Sequence, residues 1–214
     1  MDLTNSLAKT IYLAHLDPEG KRAPQLLLDH LRQVSRLAEE FAPTPEMKEA
    51  ARQCGLLHDV GKYSADFQNY LLGKKHGRVD HSTAGAQLLA GNGNLTSSME
   101  AFCIAGHHAG LSDLGSPTDL PGENTFSARM KKKVPDCSAW KQELEAPKPV
   151  QGIEQAISDF QSQGQMDFIG CGLWLRMLYS CLVDGDFLDT EAYMQGGAVQ
   201  RGGFASLEQL HEPF

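Results

Sequence analysis

Pro24-Gln25-Leu26-Leu27-Leu28-Asp29-His30-Leu31-Arg32-Gln33-Val34-Ser35-Arg36-Leu37-Ala38-Glu39-Glu40-Phe41 is the stretch whose pattern decides the fold class. Leu27, Leu31, Val34, Ala38 and Phe41 recur at steps of four and three, so Pro24 to Phe41 is predicted to be an amphipathic helix laid against a core. His30 lies on the same face, three residues after Leu27 and four before Val34, away from Asp29 and Arg32. A buried imidazole needs a partner. Standing alone it reads as a core histidine bonded to backbone; beside the further histidines of this chain it reads as a metal ligand.

Working outward, Glu46 to Leu57 is predicted to be a second helix, running into His58-Asp59-Val60-Gly61-Lys62. Ser64 to Leu72 is expected as a short helix, Ser82 to Ala90 as a helix capped by Ser82 or Asp80, and Ser98 to His108 as a further apolar one. Helical patterning returns from Gly152 to Phe160 and, strongly apolar, from Met166 to Phe187. Glycine and proline punctuate the polar stretch 110–150, which reads as a long loop with at most a short helix near Ala139 to Leu144. No repeat and no strand alternation supporting a sheet is found. The expected architecture is all-α, about six or seven helices in a single domain over residues 1–190, with 112–150 as a loop-rich insertion and 191–214 as a glycine-broken tail or linker.

A chain of 214 residues can bury one sizeable core. No apolar run approaches the roughly 20 residues of a spanning helix, and Met1 to Leu13 lacks a secretory pattern, so a cytoplasmic location is expected. The net charge of −8 argues against a freestanding high-affinity nucleic-acid binder, though not against an enzyme handed its nucleic acid by a partner. The five cysteines form no C-x-x-C pair, which argues against a thiolate zinc site. The eight histidines carry more information.

His58-Asp59 sets an imidazole beside a carboxylate at the end of an apolar helix, and His81 and His107-His108 lie on further helical segments. Nitrogen and oxygen donors together suit divalent transition metals, and a carboxylate can bridge two of them. Two such ions are a common device for splitting phosphodiesters. Near the C-terminus Asp186 shares an apolar face with Leu175, Tyr179 and Leu182, whereas Asp184 aligns with Met177, Ser180 and Cys181. Asp186 is the better ligand and Asp184 the runner-up, because a buried carboxylate is costly unless paired or on metal. Lys62, one turn after His58, either holds a scissile phosphate or is a solvated surface lysine. Tyr63 stands where a nucleotide-binding phosphate loop needs Ser or Thr, which excludes that motif. Lys131-Lys132-Lys133 with Arg129 reads as a charged mobile loop first and a nucleic-acid contact second. No cysteine adjoins a histidine and no G-x-S-x-G occurs, so nucleophilic catalysis by side chains has little support.

The ordered set His30, His58-Asp59, Lys62, Asp80-His81-Ser82, His107-His108 and Asp186 resembles the HD phosphohydrolase superfamily, and more narrowly the HD nuclease domain of the CRISPR-associated helicase-nuclease of type I systems. The closest stretches are Leu56 to Tyr63 with Phe67-Gln68, Asp80 to Ala86, Ala105 to Leu111 and Arg176 to Glu191. The resemblance implies a helical domain that holds one or two divalent ions and cuts single-stranded DNA in antiviral defence. Manganese, iron, nickel or cobalt come first among those ions, then magnesium or zinc. It assigns His30, His58, Asp59 and Asp186 to a first ion, and Asp59, His81, His107 and His108 to a second. Asp59, Lys62 and Ser82 are the implied catalytic residues, with Lys62 and Ser82 acting on the substrate phosphate or the ligand network. In that family the domain works with a superfamily-2 helicase and is recruited by the surveillance complex Cascade.

The sequence has no phosphate loop and no helicase-length extension, so the helicase is expected either as a separate chain or as a continuation beyond Phe214, and the linker-like tail favours the second. Two rivals stay open. One is an HD-type nucleotide or cyclic-nucleotide phosphohydrolase; the other is a catalytically silent metal-binding interaction module.

Overall fold

The computed structural model describes residues 10–154, 168–197, 199 and 201–202. The fold is all-α, with seven α-helices among the described residues and one small antiparallel ribbon, β1 (Leu13–His15) paired with β2 (Gln25–Leu26). The ribbon is a departure from the sequence reading. It trims the first predicted helix, because Gln25 and Leu26 are drawn into strand pairing and the Leu27 amide donates to Tyr12 O at 2.8 Å. Two strands of three and two residues are too short for a period-2 signal to register.

Helix α1 (Leu27–Phe41) buries Leu27, His30, Leu31, Val34 and Ala38, the face its periodicity marks. It packs on α2 (Pro45–Leu57) and on the long C-terminal helix α7 (Phe168–Gln195). Thr44 caps α2 by accepting from the Met47 amide, with Pro45 in the first turn. At the α1–α2 crossing Gly55 lies so close to the backbone of Ser35 that any Cβ would overlap it. A 3₁₀ turn (Val60–Tyr63) then leads into α3 (Ala65–Leu71), capped by Ser64. From α3 the Gln68 side chain extends the ribbon, accepting from Leu13 N at 3.1 Å and donating to Leu13 O at 3.0 Å and Lys62 O at 2.7 Å.

Helices α4 (Ser82–Ala90) and α5 (Leu95–Gly106) pack together and complete the core. Asp80, not Ser82, caps α4: its carboxylate accepts from the Thr83 amide at 3.1 Å and the Thr83 hydroxyl at 2.8 Å. Leu31, Val34, Ile104, Leu178 and Leu182 are fully buried at the centre. Withdrawing each such side chain from water contributes about 1.5–3 kcal/mol.

The 112–150 stretch is more ordered than its composition implies. It forms α6 (Phe126–Met130), capped by Thr125, and a 3₁₀ turn (Ser138–Gln142) at the place where a short helix is expected. Phe126 packs edge-on against Phe102 of α5 with ring centres 5.0 Å apart. The Gln87 side chain of α4 donates to Met130 O at 3.2 Å and Lys132 O at 2.7 Å. A helix of barely more than one turn leaves no periodicity to read. Helix α7 runs on past Phe187, where the apolar pattern ends, to Gln195, and stops just before Gly196-Gly197. The helix expected over Gly152 to Phe160 lies mostly outside the described residues, where only its first three positions fall. No helix among the described residues is long and apolar enough to cross a membrane.

Candidate metal centre

Helix ends converge on one point. His58 follows the last residue of α2, His81 precedes the first of α4, and His107 and His108 follow the last of α5. His30 comes from within α1 and Asp186 from within α7. The C-terminal carbonyls of a helix have no partner in the helix, and here they orient imidazoles. His58 Nδ1 donates to Gly55 O at 2.8 Å, and His107 Nδ1 to Ile104 O at 2.7 Å, each three residues back. His81 Nδ1 likewise meets Val79 O at 3.0 Å, and His30 Nδ1 meets Asp189 Oδ2 at 2.6 Å. Each bond engages Nδ1 and turns Nε2 inward, the orientation of a histidine whose Nε2 can ligate a metal once it has lost its proton.

Asp59 lies between these nitrogens. Its Oδ2 is 3.3 Å from His30 Nε2 and 3.4 Å from His58 Nε2; its Oδ1 is 3.6 Å from both His81 Nε2 and His107 Nε2. Asp186 Oδ1 is 3.4 Å from His30 Nε2 and 3.6 Å from His58 Nε2. The donor atoms fall into two groups, His30–His58–Asp186 and Asp59–His81–His107–His108, each with all its atoms within 4.8 Å of one another. Asp184, the alternative to Asp186, is solvent-exposed on the other side of α7.

His30 Nε2, His58 Nε2, His107 Nε2 and Asp59 Oδ1 are buried with no hydrogen-bond partner. Only two other side-chain atoms among the described residues share that condition, Asn92 Nδ2 and Ser97 Oγ. Each orphaned group costs about 1–3 kcal/mol, so four at one point are sustained only if something satisfies them together. His81 Nε2 and His108 Nε2 also face each other at 2.8 Å. A divalent cation in each group accounts for all of these atoms, and the mixed nitrogen and carboxylate set suits borderline transition metals.

Burial and charge pull the titrations apart. Burial opposes ionisation of Asp59, but the Lys62 ammonium and His58 override it and hold the carboxyl well below the usual range. Burial disfavours the His58 cation, yet Asp59 and Asp186 raise its pKa to about 10. Burial, then His107, lowers His108 to about 4. The carboxylates thus draw a cation to the His30–His58–Asp186 side, while His108 stays a neutral donor.

Lys62 is buried, not a solvated surface lysine: its ammonium is 2.7 Å from Asp59 Oδ2 and 3.4 Å from both Ala14 O and His15 Nε2. It also lines a cavity of about 310 Å³ that opens over the centre between His15, His108, Asp186 and Phe187. Ser82, next to His81 in the chain, is buried and its hydroxyl accepts from Arg129 Nη2 at 2.6 Å. Lys131 and Lys132 do not form a free charged loop, since Lys132 pairs with Asp80 at 2.6 Å and Lys131 donates to Asp119 O at 2.6 Å.

Three residues escaped the sequence reading. Asp189 holds His30 and accepts from Gln25 Nε2 at 2.7 Å; with that amide committed, Gln25 Oε1 faces His15 Nδ1 at 2.7 Å. Asp189 had a signal, since it follows Asp186 by three residues on one helix face. Gln25 and His15 had none.

The HD domain family model matches residues 27–144, more than half of the chain. A search of curated proteins finds no match.

Proposed function

The chain belongs to the HD domain family, a family of metal-dependent phosphohydrolases, and from that premise we propose that it is a divalent-metal-dependent nuclease acting on phosphodiesters of single-stranded DNA. The observation that carries the reading is Asp59, one buried carboxylate between two sets of inward-turned imidazole nitrogens, those of His30, His58 and His107 without any hydrogen-bond partner. Two cations held on either side of Asp59 would supply Lewis acidity for the in-line displacement of a phosphodiester oxygen.

The chain's own residues prepare that chemistry. His30, His58 and Asp186 hold one side, and His81, His107 and His108 the other, with Asp59 common to both. Lys62 keeps Asp59 ionised and fixes the orientation of its Oδ2. The cavity above is walled by apolar Val183 and Phe187 on one flank, and Lys62 is its single permanently cationic lining residue. That suits one phosphodiester rather than the polyphosphate of a nucleoside triphosphate, which calls for clustered Arg and Lys. An acidic chain of net charge −8 grips DNA weakly by itself. A superfamily-2 helicase and the Cascade complex would therefore deliver the strand, in the cytoplasm.

The test is cleavage of circular single-stranded DNA by metal-stripped protein with manganese, nickel or iron(II) restored, beside Asp59→Ala. Metal-dependent nicking that the variant lacks is the expected result. Intact DNA alongside hydrolysis of cyclic or free nucleotides would replace this reading with a small-molecule phosphohydrolase, and no turnover of either would favour a silent metal-binding module.

A further inference from the structure

We propose that Arg129 is the positioning residue of the His81–His107–His108 half of the centre, and that it clamps the two helix ends carrying those ligands without touching the other half. The inference rests on the two-cation reading and adds a residue from the segment that the sequence presents as a loop.

The guanidinium reaches from α6 into the angle between α4 and α5. Its Nε donates to Thr83 Oγ1 at 2.6 Å and its Nη2 to Ser82 Oγ at 2.6 Å, with Asp80 Oδ1 at 3.4 Å from the same nitrogen. Its Nη1 donates to Ala105 O. Asp80, Ser82 and Thr83 flank His81 on both sides, and Ala105 stands two residues before His107. One rigid, planar group thus joins the start of α4 to the end of α5, a span that a single ammonium cannot bridge at four acceptors. The clamp is itself anchored, since Gln87 of α4 donates to the carbonyls of Met130 and Lys132 around it.

His81 needs this support. Its ring is otherwise fixed by one bond to Val79 O, and its Nε2 must be held 2.8 Å from His108 Nε2, which comes from a different helix. The His30–His58–Asp186 half takes its geometry from α1, α2 and α7, none of which Arg129 contacts through a hydrogen bond.

The test is a zinc titration of the metal-stripped full chain labelled with ¹⁵N-histidine, followed in the imidazole spectrum. Zinc is diamagnetic, His30 and His58 report one half, and His81 and His108 report the other. In Arg129→Gln the zinc affinity read at His81 and His108 is expected to fall about tenfold or more, while that read at His30 and His58 stays within about twofold; Arg129→Lys restores little. Before zinc is added, His81 and His108 alone should already shift or broaden. If Arg129→Gln folds poorly, Thr83→Val removes one arm of the clamp and should give the same pattern more weakly. Equal losses in both halves, or none in either, would overturn the clamp. A wild-type chain that binds no zinc would instead remove the two-cation reading, and the zinc-free spectra would still decide on Arg129.

Discussion

The two halves of the centre are built by different means. His30 and His58 are fully buried, and Asp186 exposes 17% of its side chain; these ligands stand on or at the ends of helices that form the core. The opposite half is more open: His81 exposes 18% of its side chain and His108 faces solvent, and both leave helix ends braced by a one-turn helix. The first half is as stable as the core around it, whereas the second depends on a few polar contacts at the surface. On the two-cation reading proposed above, the inner cation would be held tightly and the outer one would exchange more readily.

The largest expected effect erases the distinction. Asp59→Ala removes the carboxylate common to both halves, so nuclease activity should fall by about a thousandfold or more, as expected for losing several kcal/mol of metal-supplied stabilisation, measured as single-turnover cleavage with saturating manganese. Next, His30→Gln and His108→Gln should separate the halves. Each should leave one manganese bound by calorimetry, but the ion kept by His108→Gln should resist a competing chelator far longer than the ion kept by His30→Gln. Equal retention would show that depth does not set affinity here.

A subtler change bears on the support of one ligand. Asp189→Asn keeps the shape of the group that holds His30 but removes its charge, so inner-cation affinity should weaken about 10- to 100-fold with outer-cation affinity unchanged, read in the same titrations. The smallest effect concerns the buried link between the helices bearing the two halves. Gln53 of α2 donates to Glu100 of α5 at 3.2 Å and to Lys148 O at 3.0 Å. Burial raises the Glu100 pKa to about 8. The folded protein keeps this proton up to about pH 8 while the unfolded chain releases it near 4.5, so wild-type stability should decline as pH rises across that window. Glu100→Gln should match wild type near pH 4.5 and exceed it above pH 8, by an amount on the order of a few kcal/mol. Thermal melts across that range check the sign.

The same contrast governs how much could be read from the sequence. The helical face of Leu27 to Phe41 predicts α1 and the inward placement of His30, because burial on a long helix imposes a period. The preference for Asp186 over Asp184 follows from the same reasoning and agrees with where the two carboxylates stand. The family resemblance brought together His81, His107 and His108, whose donor atoms do meet. What escaped depends on contacts distant in sequence. Gln25 bonds Asp189 across 164 positions, and Arg129 bonds Ser82 across 47, neither within a pattern that repeats. The choice between the two readings of Lys62 stays open in the sequence for a related reason: its burial is imposed by Ala14 and His15 of a ribbon too short to detect.

The central claim is a pair of cations either side of Asp59. It is tested most directly by soaking crystals of the wild-type chain in manganese and collecting anomalous diffraction at the manganese edge. Two peaks are expected about 3.5–4 Å apart, one within reach of His30, His58 and Asp186 and the other of His81, His107 and His108, with Asp59 contacting both. A single peak at full manganese saturation, or none, would contradict the account.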